Sequence, residues 1–328
     1  MILEIDKCCS DKDFFFSYRE QIENKLIKIM QECIEIEYVW KVVIASDVHY
    51  SKIVKEQAWY LNTGGNTSEN ALAKTIIGEY RGKVTQIIIV RESIFYFFVY
   101  SFIYGIKTKN KDINKMIVLS YKTIYHECGH LKEQINSLKM GKQITLMKEK
   151  YDLGTFDGLT EFINIQSFAM WGEYYAECFA HKIMKKKNIH MEMSLLKEIN
   201  DLEQKALEYI EILENYDNIR NAQVKKYEKA YDVLYMYVHY IAYFHIINNK
   251  NKKINNIKDK ELMKTLNKIG RELKKTYIKY ENKNITLKQL EKICEDIYLM
   301  IIDIKKVKKN KFIENIKKGL KSLKISKR

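Results

Sequence analysis

Two histidines four residues apart, His126 and His130, with Glu127 beside the first, constrain this chain more than any other feature. Residues at that spacing share a face on an α-helix. On such a helix both imidazoles reach one metal ion, at about 2.0–2.1 Å from nitrogen to zinc. Glu127 is too close in sequence to bind alongside both imidazoles, but it is placed to act as general base in metal-assisted hydrolysis. Chance would produce this H-E-x-x-H pattern about 0.013 times in a chain of this composition, on a rough independent-position estimate. The surrounding residues agree, because Met116 to Lys139 reads as a helix stopped near Gly141. Gly129, inside the motif, costs roughly 1 kcal/mol of helix propensity. In return it lets another backbone approach closely. Cys128 reads as a small buried apolar residue turned away from the metal face.

A catalytic zinc needs a third protein ligand. In the segment WGEYYAECFAHKIM, Glu173, Glu177 and His181 again fall four apart, on one face of a second helix. Glu173 is the expected third ligand and His181 the alternative. Ala176 is small, as a helix crossing close to the metal would require. Hydrolysis also needs a donor for the oxyanion. Tyr174, Tyr175, His181 and His190 are the candidates, and the sequence does not choose among them.

These two segments, H-E-C-G-H and E-Y-Y-A-E-C-F-A, resemble the gluzincin metallopeptidases and are most similar to the ImmA/IrrE-type peptidases. The resemblance implies a zincin-like catalytic domain holding Zn2+ through His126, His130 and Glu173, with Glu127 as general base. Glu177 would stand outside the ligand set and orient a ligating histidine. The implied activity is zinc-dependent endopeptidase action on a protein or peptide substrate in the cytoplasm. The Ala176-Glu177 pair also resembles lethal-factor-type peptidases, which would require export of the protein as an effector. That family has a Tyr seven residues before the third ligand, where this chain has Gln166.

The remaining expectations concern organisation. The fold class expected is α+β, mostly α: a catalytic domain with a small sheet over residues 1–190, then an all-helical region over 191–328. Residues 14–37 have helical spacing, and VWKVVIASDV from Val39 and KVTQIIIV at 83–90 read as strands. Thr67-Ser68 is expected to cap a helix, 107–115 to be a polar loop, and Gly172 to break the later helix. The apolar stretch Ser93 to Ile106 is shorter than the roughly 20 residues a spanning helix needs, so it is expected in the core and no integral membrane segment is expected. Asp47 and His49 look like half of a metal site and are read as strand-end residues. His239 and His245 read as packing residues in an aromatic stripe.

Charge divides the chain sharply. Residues 252–328 hold 24 Lys/Arg against 9 Asp/Glu, which is the whole net charge of +15. Such a region suits an acidic partner, nucleic acid or an anionic membrane surface. It supports a second expectation, a non-enzymatic helical protein that binds nucleic acid or a membrane surface. Six scattered cysteines exclude a disulfide framework, and the N-terminal residues do not read as a signal peptide.

Overall fold

A computed structural model describes residues 1–61, 63, 71–106, 108–142, 156–189, 208, 220–247 and 260–302. The protein is α+β and mostly helical, with one four-stranded mixed sheet. Strands β1 (Ile2–Ile5), β2 (Val39–Ala45), β3 (Ala73–Tyr80) and β4 (Lys83–Arg91) lie in the order β1-β2-β4-β3. The first three in that order run parallel, with Ile5 beside Ile44 and Ala45 beside Arg91. β3 runs antiparallel along β4, placing Thr75 beside Ile88. Arg81 and Gly82 join the two strands, both with positive φ (53° and 74°). A two-residue turn of this hand matches the twist of a hairpin.

β2 and β4 are almost continuously apolar because both faces of the sheet are covered. Side chains alternate between the faces. Val43, Ala45, Ile87, Ile89 and Ile76 pack with Tyr50, Val54 and Ala58 of helix α3 (Tyr50–Tyr60). The other face meets helix α5 (Lys111–Lys139), to which Thr75 and Gln86 are hydrogen-bonded. Before these come α1 (Lys12–Ser17) and α2 (Arg19–Cys33), and between β4 and α5 lies α4 (Glu92–Tyr104). Helix α4 is the most apolar stretch of the chain, and it buries Ile94, Phe95, Phe98 and Val99. Among the described residues no helix is long and apolar enough to cross a membrane.

Several expectations need correction. The segment after Thr67-Ser68 is strand β3, not a helix. Helix α5 begins at Lys111 inside the expected polar loop, because the Asn110 side chain accepts from the backbone N–H groups of Asp112 and Ile113. Helix α6 (Phe156–Lys186) continues through Gly172 without a break. The later described helices are α7 (Arg220–Ile247), α8 (Lys260–Glu281) and α9 (Leu287–Ile302).

The chain divides into two compact units. One is Met1–Glu149 with Tyr175–Leu195, and the other is Lys150–Tyr174 with Leu196–Arg328. The division falls inside α6. Within the second unit, α7, α8 and α9 pack on one another. Trp171 meets Tyr280 edge-on there, and Tyr174 meets Tyr277.

Candidate metal centre

Helix α5 turns the two motif histidines toward a common point. Their Nε2 atoms are 3.0 Å apart. Tetrahedral zinc with nitrogen ligands at about 2.0–2.1 Å would hold them about 3.4 Å apart, so only a small adjustment is needed. The other ring nitrogen of His126, Nδ1, lies 3.0 Å from Glu177 Oε1. A carboxylate at Nδ1 favours the tautomer with its proton there and leaves the Nε2 lone pair for a metal.

Glu177 itself is fully buried. Its charge is answered by Lys122, whose Nζ lies 2.7 Å from Oε1, one turn before His126 on the same helix. His181 Nε2 lies 3.2 Å from Oε2. Burial pushes the His181 imidazole below its ordinary pKa, although Glu177 pulls the other way. Lys122, His126 and His181 thus converge on one carboxylate.

Helices α5 and α6 meet at two small residues, Gly129 and Ala176. A Cβ added at Gly129 would fall 2.6 Å from the Cα of Ala176. Glu173 lies one turn before Glu177 on α6. Glu173 itself belongs to the other compact unit. His126, His130 and Glu173 are each half-buried. Glu173 Oε2 is also 3.3 Å from Nε2 of His239 on α7. The Glu173 carboxylate adds to burial in raising the pKa of the Tyr231 phenol.

Glu127 points to the sheet. Its buried carboxylate accepts a 2.7 Å hydrogen bond from the Thr75 hydroxyl of β3. Cys128 is fully buried, and burial pushes its thiol far above the ordinary range.

The expected oxyanion donors have other partners. The Tyr174 oxygen lies 2.6 Å from His245 Nδ1, Tyr175 stacks on Phe179, and His181 faces Glu177. All three side chains are fully buried. His190 lies outside the described residues.

Three partners escaped the sequence reading. Lys122 looks like an ordinary helix-surface charge, and Thr75 like one more β-branched residue. His239 hides in the aromatic stripe, its ring 4.6 Å from that of Tyr235. Only its histidine chemistry could have singled it out. In comparisons with known proteins, the chain matches no family model, no curated protein and no solved structure.

Proposed function

We propose that the protein is a zinc-dependent endopeptidase, with His126, His130 and Glu173 holding the metal and Glu127 acting as general base. The observation that carries this reading is the pair of Nε2 atoms 3.0 Å apart, one ring anchored from behind by Glu177. The donor chemistry fits: two neutral imidazoles and one carboxylate are a recurrent catalytic zinc set. Zinc bound there would supply Lewis acidity toward a scissile carbonyl.

The chain's own residues have separable tasks. Glu127 would take the proton of the attacking water and pass it to the leaving amine. Thr75 holds the Glu127 carboxylate against the sheet until then. Glu177, with its charge balanced by Lys122, keeps His126 in the ligating tautomer. His239 steadies Glu173. The reading includes a protein or peptide substrate and a cytoplasmic setting, where thiols such as the five buried cysteines remain reduced.

The test is zinc stoichiometry by elemental mass spectrometry. Wild type should hold zinc that His126→Ala, His130→Ala and Glu173→Ala each lose while remaining folded. Glu127→Gln should keep the metal and lose peptide hydrolysis. Folded wild type that takes up no zinc at these residues on reconstitution would end the proposal.

A second reading has one observation behind it. Lys264, Lys268, Arg271, Lys275 and Lys279 are all exposed on α8, at spacings of three or four residues. They form a basic stripe opposite the buried face of Leu262, Leu266, Ile269 and Leu273. Such a stripe would bind a polyanion, nucleic acid above all, with affinity falling steeply as salt rises. The five-alanine variant should lose that binding and keep its zinc. The densest basic segment, residues 305–328, lies outside the described residues.

A further inference from the structure

We propose a second divalent-metal site, of the zinc class, formed by Asp6, Cys8 and His49. It does not rest on the α5–α6 group. β1 and β2 are parallel neighbours, so the loops leaving their C-terminal ends emerge side by side. The crevice at such strand ends is where open sheets with parallel strands bind ligands. Asp6 and Cys8 stand on the first loop and His49 on the second. One ligand atom from each lies within 4.8 Å of the others, and His49 Nδ1 is 4.0 Å from Asp6 Oδ2.

The loops are already shaped around the carboxylate. The N–H of Cys8 donates to Asp6 Oδ1 and that of Ser46 to Oδ2, each at 3.2 Å. Burial would raise the Asp6 pKa, but hydrogen bonds from Ser46 and Cys8 and the nearby His49 outweigh it and keep the group ionised. The surroundings add negative charge. Glu92 accepts from the N–H groups of Ser10 and Asp47, and its carboxylate and that of Asp6 add to burial in raising the neighbouring Cys9 thiol. Arg91 is turned to Asp47, with its guanidinium 2.8 Å from the Asp47 carbonyl oxygen.

One thiolate, one imidazole and one carboxylate form a borderline-soft donor set, which suits zinc better than magnesium or calcium. Tetrahedral zinc would draw the three atoms to about 3.3–3.7 Å apart. Side-chain rotation can supply that closure, since Cys8 is exposed and His49 half-buried. Binding would release the Cys8 thiol proton and leave the fourth position to solvent or a further ligand. His49, half of an incomplete pair in the sequence, thus finds its partners across the sheet on the loop after β1.

Cobalt(II) titration of the full-length protein tests the site. A thiolate ligand produces an intense near-ultraviolet charge-transfer absorption that histidine and carboxylate ligands do not. The band therefore reports Cys8 and is silent on the α5–α6 group. Wild type should show it, Cys8→Ser should abolish it without changing the melting temperature, and His49→Ala should weaken cobalt affinity at least tenfold. His130→Ala should leave the band intact. A wild type without the band would overturn the proposal, and so would a band that survives Cys8→Ser. Cobalt affinity unchanged in His49→Ala would identify a bare surface thiol and overturn it equally. Failure of the zinc reading at His126 and His130 would leave these outcomes untouched.

Discussion

Replacing Gly129 with alanine sets two elementary effects against each other. In an isolated helix the change should stabilise by about 1 kcal/mol. In the folded protein the new Cβ would fall 2.6 Å from the Cα of Ala176 and 3.0 Å from its carbonyl oxygen. Carbon atoms pack best at about 3.5–4.0 Å, so α5 and α6 must separate locally by roughly 1 Å. Both obstructing atoms are backbone and cannot rotate away. Overpacking of this kind costs about 1–3 kcal/mol, which outweighs the propensity gain over most of that range. We expect a net loss of up to about 2 kcal/mol, read as a fall in melting temperature of up to about 6 °C. Metal affinity should suffer more, because metal–ligand distances tolerate only about 0.2 Å. Competition against a chelator should show zinc binding weakened about 10–100-fold. Adding Ala176→Gly should not rescue the variant, since glycine keeps the Cα, C and O atoms that obstruct the new methyl. A raised melting temperature with undiminished zinc affinity would refute the close approach of the two helices.

Other perturbations separate charge from geometry. Lys122→Met leaves the buried Glu177 carboxylate without its cation, and breaking such a pair costs about 3–5 kcal/mol. Denaturant melts should show most of that stability regained in Lys122→Met/Glu177→Gln, while zinc affinity stays depressed. Thr75→Val removes the hydroxyl from Glu127, so turnover should fall with zinc content unchanged. A variant with unaltered turnover would dissociate Thr75 from the base. His245 is held neutral, with its pKa lowered to about 4 by burial and by the Lys274 charge. The unfolded chain takes up that proton near 6.5, so its contribution to stability is complete above 6.5 and lost as pH falls toward 4. His245→Phe should flatten acid melts across that window, and an unchanged pH dependence would show that His245 is not the titrating group.

The motif helix was legible because two histidines four apart allow few alternatives, whereas Gly129 and Ala176 were visible only as two separate small residues and their pairing came from the fold. β2 and β4 were legible as runs of branched apolar residues. β1 was not, since ILEI is too short to show a period. β3 was read as helix because the polar run before it resembles a cap. Strand order also escaped, because nothing in ILEI or AKTIIGEY says which neighbour it will choose. At the site, the candidate ligands could be picked out by spacing, but the groups the fold sets beside them could not. Lys122, Thr75 and His239 acquire meaning only from what the fold brings against them.

The strand pairing also bears on when the site comes into being. Among the described residues, every partner of every strand lies within the first 91 residues. The sheet can therefore close on the ribosome before α5 has been made. When α5 does emerge, it carries both histidines and the buried-to-be Lys122, but neither Glu173 nor Glu177. The interval between Lys139 and Glu177 occupies synthesis for about 2–8 s at 5–20 residues per second. During that time the nascent chain holds two of the three proposed ligands and an unanswered cation. On the proposed reading, the α5–α6 group would gain its metal affinity late, after the sheet is finished.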